Sequence, residues 1–500
     1  MRHPGPLTTW TFPLLCVSLL VACAGRDAPD GPMHQTPELV SVQTLQRWHE
    51  EKARGGPTFS GSPAWRAHAE FVERELRARG VADLVREPIR YRRWFTADDP
   101  AAQRWTLSIA GESVPVASYW AYSGSTGEQG VTGPLVHYDP QSPPASIEGR
   151  IVVFDIPTLP DPVPPMFAPA GHEFATADLE GIDRGLITDH WYQVNYATRF
   201  GGFGEILQKG KAAGGIVIFD MGQARARGIY TFPLLKVGEL GVPALYLDRV
   251  AGKNVRAAAG NGQVATLRLL AEREDTETWF LTGILPGRNY GTPDDRLVLL
   301  VTHTDGPNLT QENGALGILA LVDYFNRVPQ AERQRSLLIV LDPQHYMPGR
   351  HLVNWYERHP DVTARIVGVV GVEQLGQREY AERGDAFVQT GRPEVSVFFT
   401  QADPVLISAA QAAISAERLS RTELRVPAHQ GQGRWIGLAD VAVERGWPAF
   451  ALNTEMSAYW STVPGIESFD ARLCRQQLSV LVELTRTLMD AGGRRADTRP

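Results

Sequence analysis

The stretch that decides the fold is Leu297–Phe325, LVLLVTHTDGPNLTQENGALGILALVDYF. Leu297–Thr302 is an unbroken run of apolar or β-branched residues and reads as a buried strand. His303 and Asp305 stand where that strand should end. Pro307 and Asn308 make a short loop, Thr310 is a suitable N-cap, and a helix is expected from there to about Phe325. Leu316, Ile318, Leu319, Leu321, Val322 and Phe325 leave it no polar face, so it should be buried. His303, Asp305 and Glu312 therefore fall between the carboxyl end of a strand and the first turn of a helix. Open α/β sheets place their ligand sites there, and the helix dipole favours a carboxylate in that turn.

The same alternation continues from Asp294 onward. Ser336–Leu341, Ile366–Glu373 and Pro448–Asn453 are short, apolar and β-rich, as strands covered on both faces should be. A last helix is expected from Phe469 to about Met489. The predicted class is α/β, a mostly parallel sheet flanked by helices. Each strand is followed by polar residues: Asp342-Pro343-Gln344-His345 after the second, Glu373-Gln374 closing the third, and Glu455, Tyr459 and Trp460, expected to line a substrate cleft, after the fourth. Convergence of the strand ends would gather His303, Glu312, His345 and Glu373 as metal ligands. Two imidazoles and two carboxylates suit a divalent transition metal, zinc first. Any one of these residues taken singly is more simply a loop residue or a satisfied polar group; their order at successive strand ends argues for the set.

Composition bounds the rest. Five hundred residues imply two domains with short extensions. Hydrophobic content of 43%, charge of 21% and a net charge of −7 are those of a globular protein without a nucleic-acid footprint. At the N-terminus, Arg2 and His3 precede the apolar run Trp10–Ala22, which fits a secretory signal rather than a membrane span. Leu20-Val21-Ala22-Cys23 resembles a bacterial lipobox, which implies lipidation of Cys23, a signal over residues 1–23, and a tether over 24–37. The expectation is an exported protein anchored by acyl chains to the bacterial cell envelope, on the periplasmic side or at the outer membrane. Cys474 is then the one thiol of the folded part, so no disulfide framework forms.

Residues 38–91 read as helical. Ser62-Pro63 is a strong helix start, and Trp65, Phe71, Val72 and Leu76 share a face before Gly80. From about Arg92 to Thr282 short β runs with Gly and Pro turns take over. Val131–His137, Arg150–Ile156, Gly215–Asp220 and Val242–Leu247 are strand candidates, with a helix over Phe203–Ala213. Ile147–Val153, Lys209–Ile218 and Gly241–Leu245, in that order, resemble the protease-associated (PA) domain, a non-catalytic lid or docking module inserted into peptidases. Pro157–Ala197 is long for such a module and is expected to elaborate it over the site.

With Phe59-Ser60-Gly61-Ser62 and Gly283-Ile284-Leu285-Pro286-Gly287, residues 58–80 and 283–490 resemble the co-catalytic zinc aminopeptidases and glutamate carboxypeptidases, a group that includes the glutaminyl cyclases. The tail 491–500 lies beyond the resemblance. The resemblance implies that His303 is the first zinc-binding His, Asp305 the carboxylate that supports it, and Glu312-Asn313 the counterpart of a bridging Asp-Asn. It also exposes departures. The family's general-base Glu falls at Gln344, which cannot take a proton from water. Its ligand Glu falls at His345, its third-strand Asp at Glu373, and its final His at Trp460. One metal's set survives as His303, Glu312 and Glu373, so at most one zinc ion is expected. Asp342, Glu373 and Glu455 are the candidate substitute bases. Trp435 and Trp447 read as core or cleft-wall aromatics, and Gly431-Gln432-Gly433-Arg434 as a loop near the cleft. Two readings stay open at this point: a mononuclear hydrolase of peptides or related amides, and a silent relative that binds peptides or a partner through the old cleft.

Overall fold

The computed structural model describes residues 37–97, 100–162, 171–179, 184–231, 238–349, 351–426, 437–455 and 457–490. The expected signal, Cys23, residues 24–36 of the tether, the tail 491–500 and the loop Gly431–Trp435 lie outside them.

A nine-stranded mixed sheet carries the second half of the chain. Its central strands are Ser336–Asp342, Leu297–His303, Ile366–Val372 and Ala449–Thr454, side by side and parallel. Strand Leu297–His303 shows why they are apolar throughout. Val298 and Leu300 enter the core under helices Gly314–Asn326 and Ala471–Asp490, while Leu297, Leu299 and Val301 enter a second core with Trp355 and Tyr356 on the opposite face. Being covered on both faces removes the period-2 pattern.

The helix after the first of these strands begins at Gly314, not at Thr310. The loop before it has its own hydrogen bonds: Asn308 Oδ1 accepts from Gln311 N at 2.9 Å, and Asn313 Oδ1 accepts from Leu375 N at 2.8 Å. Glu312 therefore precedes the helix instead of lying in its first turn. Helix Pro63–Ala78 starts as the sequence indicates, with the Ser62 hydroxyl accepting from Trp65 N at 3.1 Å.

A second, eight-stranded sheet is built from residues 105–269. Strands Ala82–Phe95 and Glu272–Leu285 pair antiparallel and carry the chain into and out of it. The domain boundaries expected at 91/92 and 282/283 therefore fall inside strands. A continuous antiparallel ribbon hides a boundary from composition, because the same two strands run unbroken from one body into the other. Strand Gly171–Ala175, from the long segment within the second body, pairs instead with Thr422–Val426 at the edge of the nine-stranded sheet. The core of the second sheet takes in Tyr346, Tyr459 and Trp460 from the other body. The ends of the central strands thus open onto the seam between the two sheets. Among the described residues no helix is long and apolar enough to cross a membrane.

Candidate functional site

Asp305 organises the floor of the seam. Its carboxylate accepts from the backbone N–H of His345 at 2.8 Å and of Tyr346 at 2.7 Å, and from the Ser60 hydroxyl at 2.7 Å. It thereby pins the turn after strand Ser336–Asp342 to the N-terminal Phe59–Ser62 turn. This departs from the expected support of the His303 imidazole. The carboxylate beside His303 Nδ1 is Asp342, at 3.7 Å. Burial pushes Asp305 up to about 8 against the pull of those three donors.

His303, His345 and Glu312 come together. The two imidazoles stack in parallel, centroids 4.3 Å apart and planes 9° from coplanar. His345 Nδ1 is hydrogen-bonded to Glu312 Oε1. Glu312 is fully buried, pressed so closely against Gly306 that a Cβ there would overlap its side chain. Burial moves the Glu312 carboxyl well above the carboxylate range, with the Lys52 ammonium pulling the other way. Burial likewise holds His303 well below its usual value and His345 down at about 3, so both rings are neutral at pH 7. Two buried polar atoms in this group, His303 Nδ1 and Glu312 Oε2, have no hydrogen-bond partner.

Glu373 is near enough to Glu312 for the two charges to repel, but its oxygens are engaged elsewhere. Oε1 accepts from Leu438 N at 3.0 Å and Oε2 from Asn453 Nδ2 at 3.2 Å. Burial raises it to about 8. Gln344 donates through Nε2 to Met347 O at 3.2 Å and bonds Asp342 Oδ1 through its backbone N–H. Glu455 is ion-paired with Arg425. Tyr459 and Trp460, expected to line a cleft, are 4% and 1% exposed. Trp460 N donates to Gln311 Oε1 at 2.7 Å, and its carbonyl accepts from Tyr230 N at 2.7 Å across the seam. Among the described residues no group of three or more His, Cys, Asp or Glu side chains is arranged to hold a metal ion.

Two features escape the sequence reading. Helix Arg184–Asn195 lays the buried His190 against the site's last loop, Nε2 at 2.8 Å from Tyr459 O. Nothing local in the sequence marks that contact, which joins residues 269 apart. Helix Val42–Ala53 places Lys52, 5% exposed, behind the loop of Asp305 and Glu312. A signal for it existed: Leu45, Trp48, His49 and Lys52 follow an i, i+3, i+4, i+7 spacing, so the lysine lies on the apolar face.

Solved structures with this architecture are known. A peptidase M28 precursor from Shewanella amazonensis superposes with a TM-score of 0.61 at 15% identity, over 92% of this chain and 99% of that one. BSAP, a zinc aminopeptidase from Bacillus subtilis, gives 0.58 at 13% identity, over 90% and 95%. The aminopeptidase from Aneurinibacillus sp. strain AM-1 gives 0.57 at 13%, over 91% and 95%. The fold is that of the M28-type aminopeptidases. No family model matches the sequence, and no curated protein matches it either. In this chain His303 ends the strand Leu297–His303, Glu312 lies in the loop after it, and His345 and Glu373 follow the strands Ser336–Asp342 and Ile366–Val372; identities this low show the fold alone.

Proposed function

We propose that this chain is a peptidase-fold protein that binds peptides at the seam without the family's zinc chemistry. The observation that carries the proposal is the state of His345. Its Nδ1 is committed to Glu312 and its ring lies flat on His303, so the in-plane lone pairs of the two imidazoles run side by side rather than converging on one point. Zinc requires donors that converge tetrahedrally. The donor types suit zinc; their arrangement here does not. The side chain in the final-His position, Trp460, is sealed in the core of the second sheet. Gln344 offers no base.

The second reading, a single-zinc hydrolase, rests on one specific observation: His303 Nδ1 and Glu312 Oε2 are buried without partners, and such atoms call for a ligand. We propose further that the second sheet is a PA-like docking module and that the protein is exported and lipid-anchored through Cys23. The support for both is the sequence.

Metal content separates the two readings. The protein is purified without chelators, its metals are quantified before and after zinc is added back, and a His303→Ala variant is run alongside. A peptide library is then screened for binding and for release of free amines. Saturable binding with no stoichiometric metal and no turnover is the expected result. One equivalent of zinc that is lost in His303→Ala, together with turnover, would establish the hydrolase instead.

A further inference from the structure

The seam holds a small cavity beside the site, and none of the chemistry described above uses it. Its volume is about 30 Å³, and its lining includes Phe59, Tyr91, Arg93, Tyr119, Tyr230 and Tyr346. Both bodies supply the wall. Tyr91 and Arg93 come from strand Ala82–Phe95, Tyr119 and Tyr230 from the second body, and Tyr346 from the turn after strand Ser336–Asp342. The rings close on one another. Phe59 stacks on Tyr230 with centroids 4.0 Å apart, and Tyr230 meets Tyr346 edge-on at 5.7 Å and Tyr119 at 6.0 Å. The Tyr91 hydroxyl donates to Ser60 O, which ties the ribbon to the Phe59–Ser62 turn. Tyr346 is the wall shared with the site, its ring centroid 4.7 Å from that of His345.

Arg93 is the charged group on this lining. Strand alternation sets Tyr91, Arg93 and Phe95 on one face, and all three line the cavity. The guanidinium lies over the Phe95 ring at 4.5 Å. Directly across the ribbon, Glu274 Oε1 accepts from its Nη1 at 2.7 Å. The two partners are unequally placed: the Arg93 side chain is 12% exposed, that of Glu274 44%. A cross-strand pair on a wet surface would leave both groups in solvent, whereas here only the carboxylate stays there. A guanidinium carries five N–H donors, and among the described residues Nη1 to Glu274 is the one hydrogen bond that Arg93 makes. Its Nε and Nη2 remain for a second acceptor.

The acceptor that suits this edge is anionic, planar and small. A guanidinium favours a carboxylate over a neutral group, because the charge-assisted bond is about twice as strong and can be bidentate. A space of about 30 Å³ holds about two waters. That matches the two oxygens of a carboxylate and is too small for a phosphate or an aromatic side chain. Aromatic walls lower the local dielectric and strengthen the pairing.

We propose that this cavity is a subsite for a carboxylate of a peptide lying in the seam, with Arg93 as the residue that reads it. Resting on peptide binding at the seam, this assignment names the class of peptide: one with a carboxylate, at its C-terminus or on an Asp or Glu side chain, next to the part that lies over His303 and His345.

The test is calorimetric titration of the full chain with four short alanine peptides capped at the N-terminus. One has a free C-terminal carboxylate, one is amidated, and two more amidated peptides carry a central Glu or Gln. A carboxylate peptide binds at least tenfold more tightly than its amide counterpart, and the pair that shows the difference, terminal or side-chain, identifies which carboxylate enters. Arg93→Met removes the preference and leaves the affinity for the amidated peptide within twofold. Arg93→Lys keeps only part of it, because an ammonium lacks the planar fork. Glu274→Gln, which removes the internal competitor, strengthens it. Equal affinities for carboxylate and amide peptides in the wild type, or a preference that survives Arg93→Met, overturn the subsite and leave peptide binding standing. If Arg93→Met does not fold, Glu274→Gln decides: a stronger preference supports the subsite, and an unchanged or weaker one overturns it. Binding of none of the four peptides also overturns the subsite, and it overturns the peptide reading itself only if the library screen comes up empty as well.

Discussion

Asp305 offers a sharp test of which residue the acid after His303 serves. Replacing it by Ala strands the backbone N–H groups of His345 and Tyr346, both bonded to it at 2.7–2.9 Å. The Ser60 hydroxyl is not stranded, because it also reaches Pro343 O at 2.6 Å. Each buried donor left without a partner costs about 1–3 kcal/mol, so the pair costs about 2–6 kcal/mol. Removing a buried carboxyl that burial has already pushed to about 8 offsets part of this. The expected loss is about 3 kcal/mol, which leaves a protein of ordinary stability folded. His303→Gln is the comparison. Its Nδ1 has no hydrogen bond and its nearest carboxylate is 3.7 Å away, so that variant loses at most about 1 kcal/mol. Urea unfolding followed by the fluorescence of the 12 tryptophans and by far-ultraviolet circular dichroism measures both. Equal losses in the two variants would refute the reasoning and return Asp305 to service through His303. A loss below about 1 kcal/mol for Asp305→Ala would show that the turn is held by something else.

Gly314→Ala should disrupt the loop itself, since a Cβ there would overlap Val372 O and Thr302 Oγ1, and relief requires moving a central strand; a loss under about 1 kcal/mol in thermal unfolding would contradict the packing. Glu394, fully buried and bonded to Ser457, has its carboxyl raised by burial to about 7. The folded chain therefore keeps a proton that the unfolded chain releases near 4.5, so this contribution to stability is whole below about 4.5 and is lost as pH rises through 7. Glu394→Gln should flatten the decline between pH 5 and 7 by up to about 1.4 kcal/mol per pH unit, and an unchanged profile in urea midpoints at those pH values would disprove the assignment. Metal analysis of the wild type and of His303→Ala completes the set, with the outcomes stated above.

What the sequence determined by itself is the α/β core and the places of its four central strands along the chain. Leu297–Thr302 and its counterparts are apolar without interruption because both faces are covered, and that pattern is local. The same locality made the Ser62 cap and helix Pro63–Ala78 legible. The polar residues at the strand ends could be named for the same reason: they stand where each apolar run stops. What they do was decided by contacts between parts of the chain far apart in sequence. His345 spends Nδ1 on Glu312, Asp305 turns to the backbone of His345 and Tyr346 rather than to His303, and Glu373 is taken up by Leu438 and Asn453. Trp460 belongs to the core of the other sheet, and Lys52 enters from a helix some 250 residues upstream of the loop it supports. The geometry of a polar site depends on which partner reaches each atom first. Hydrophobic periodicity records which face of an element is covered, whereas the pairing of buried charges and lone pairs is fixed only when the two sheets meet.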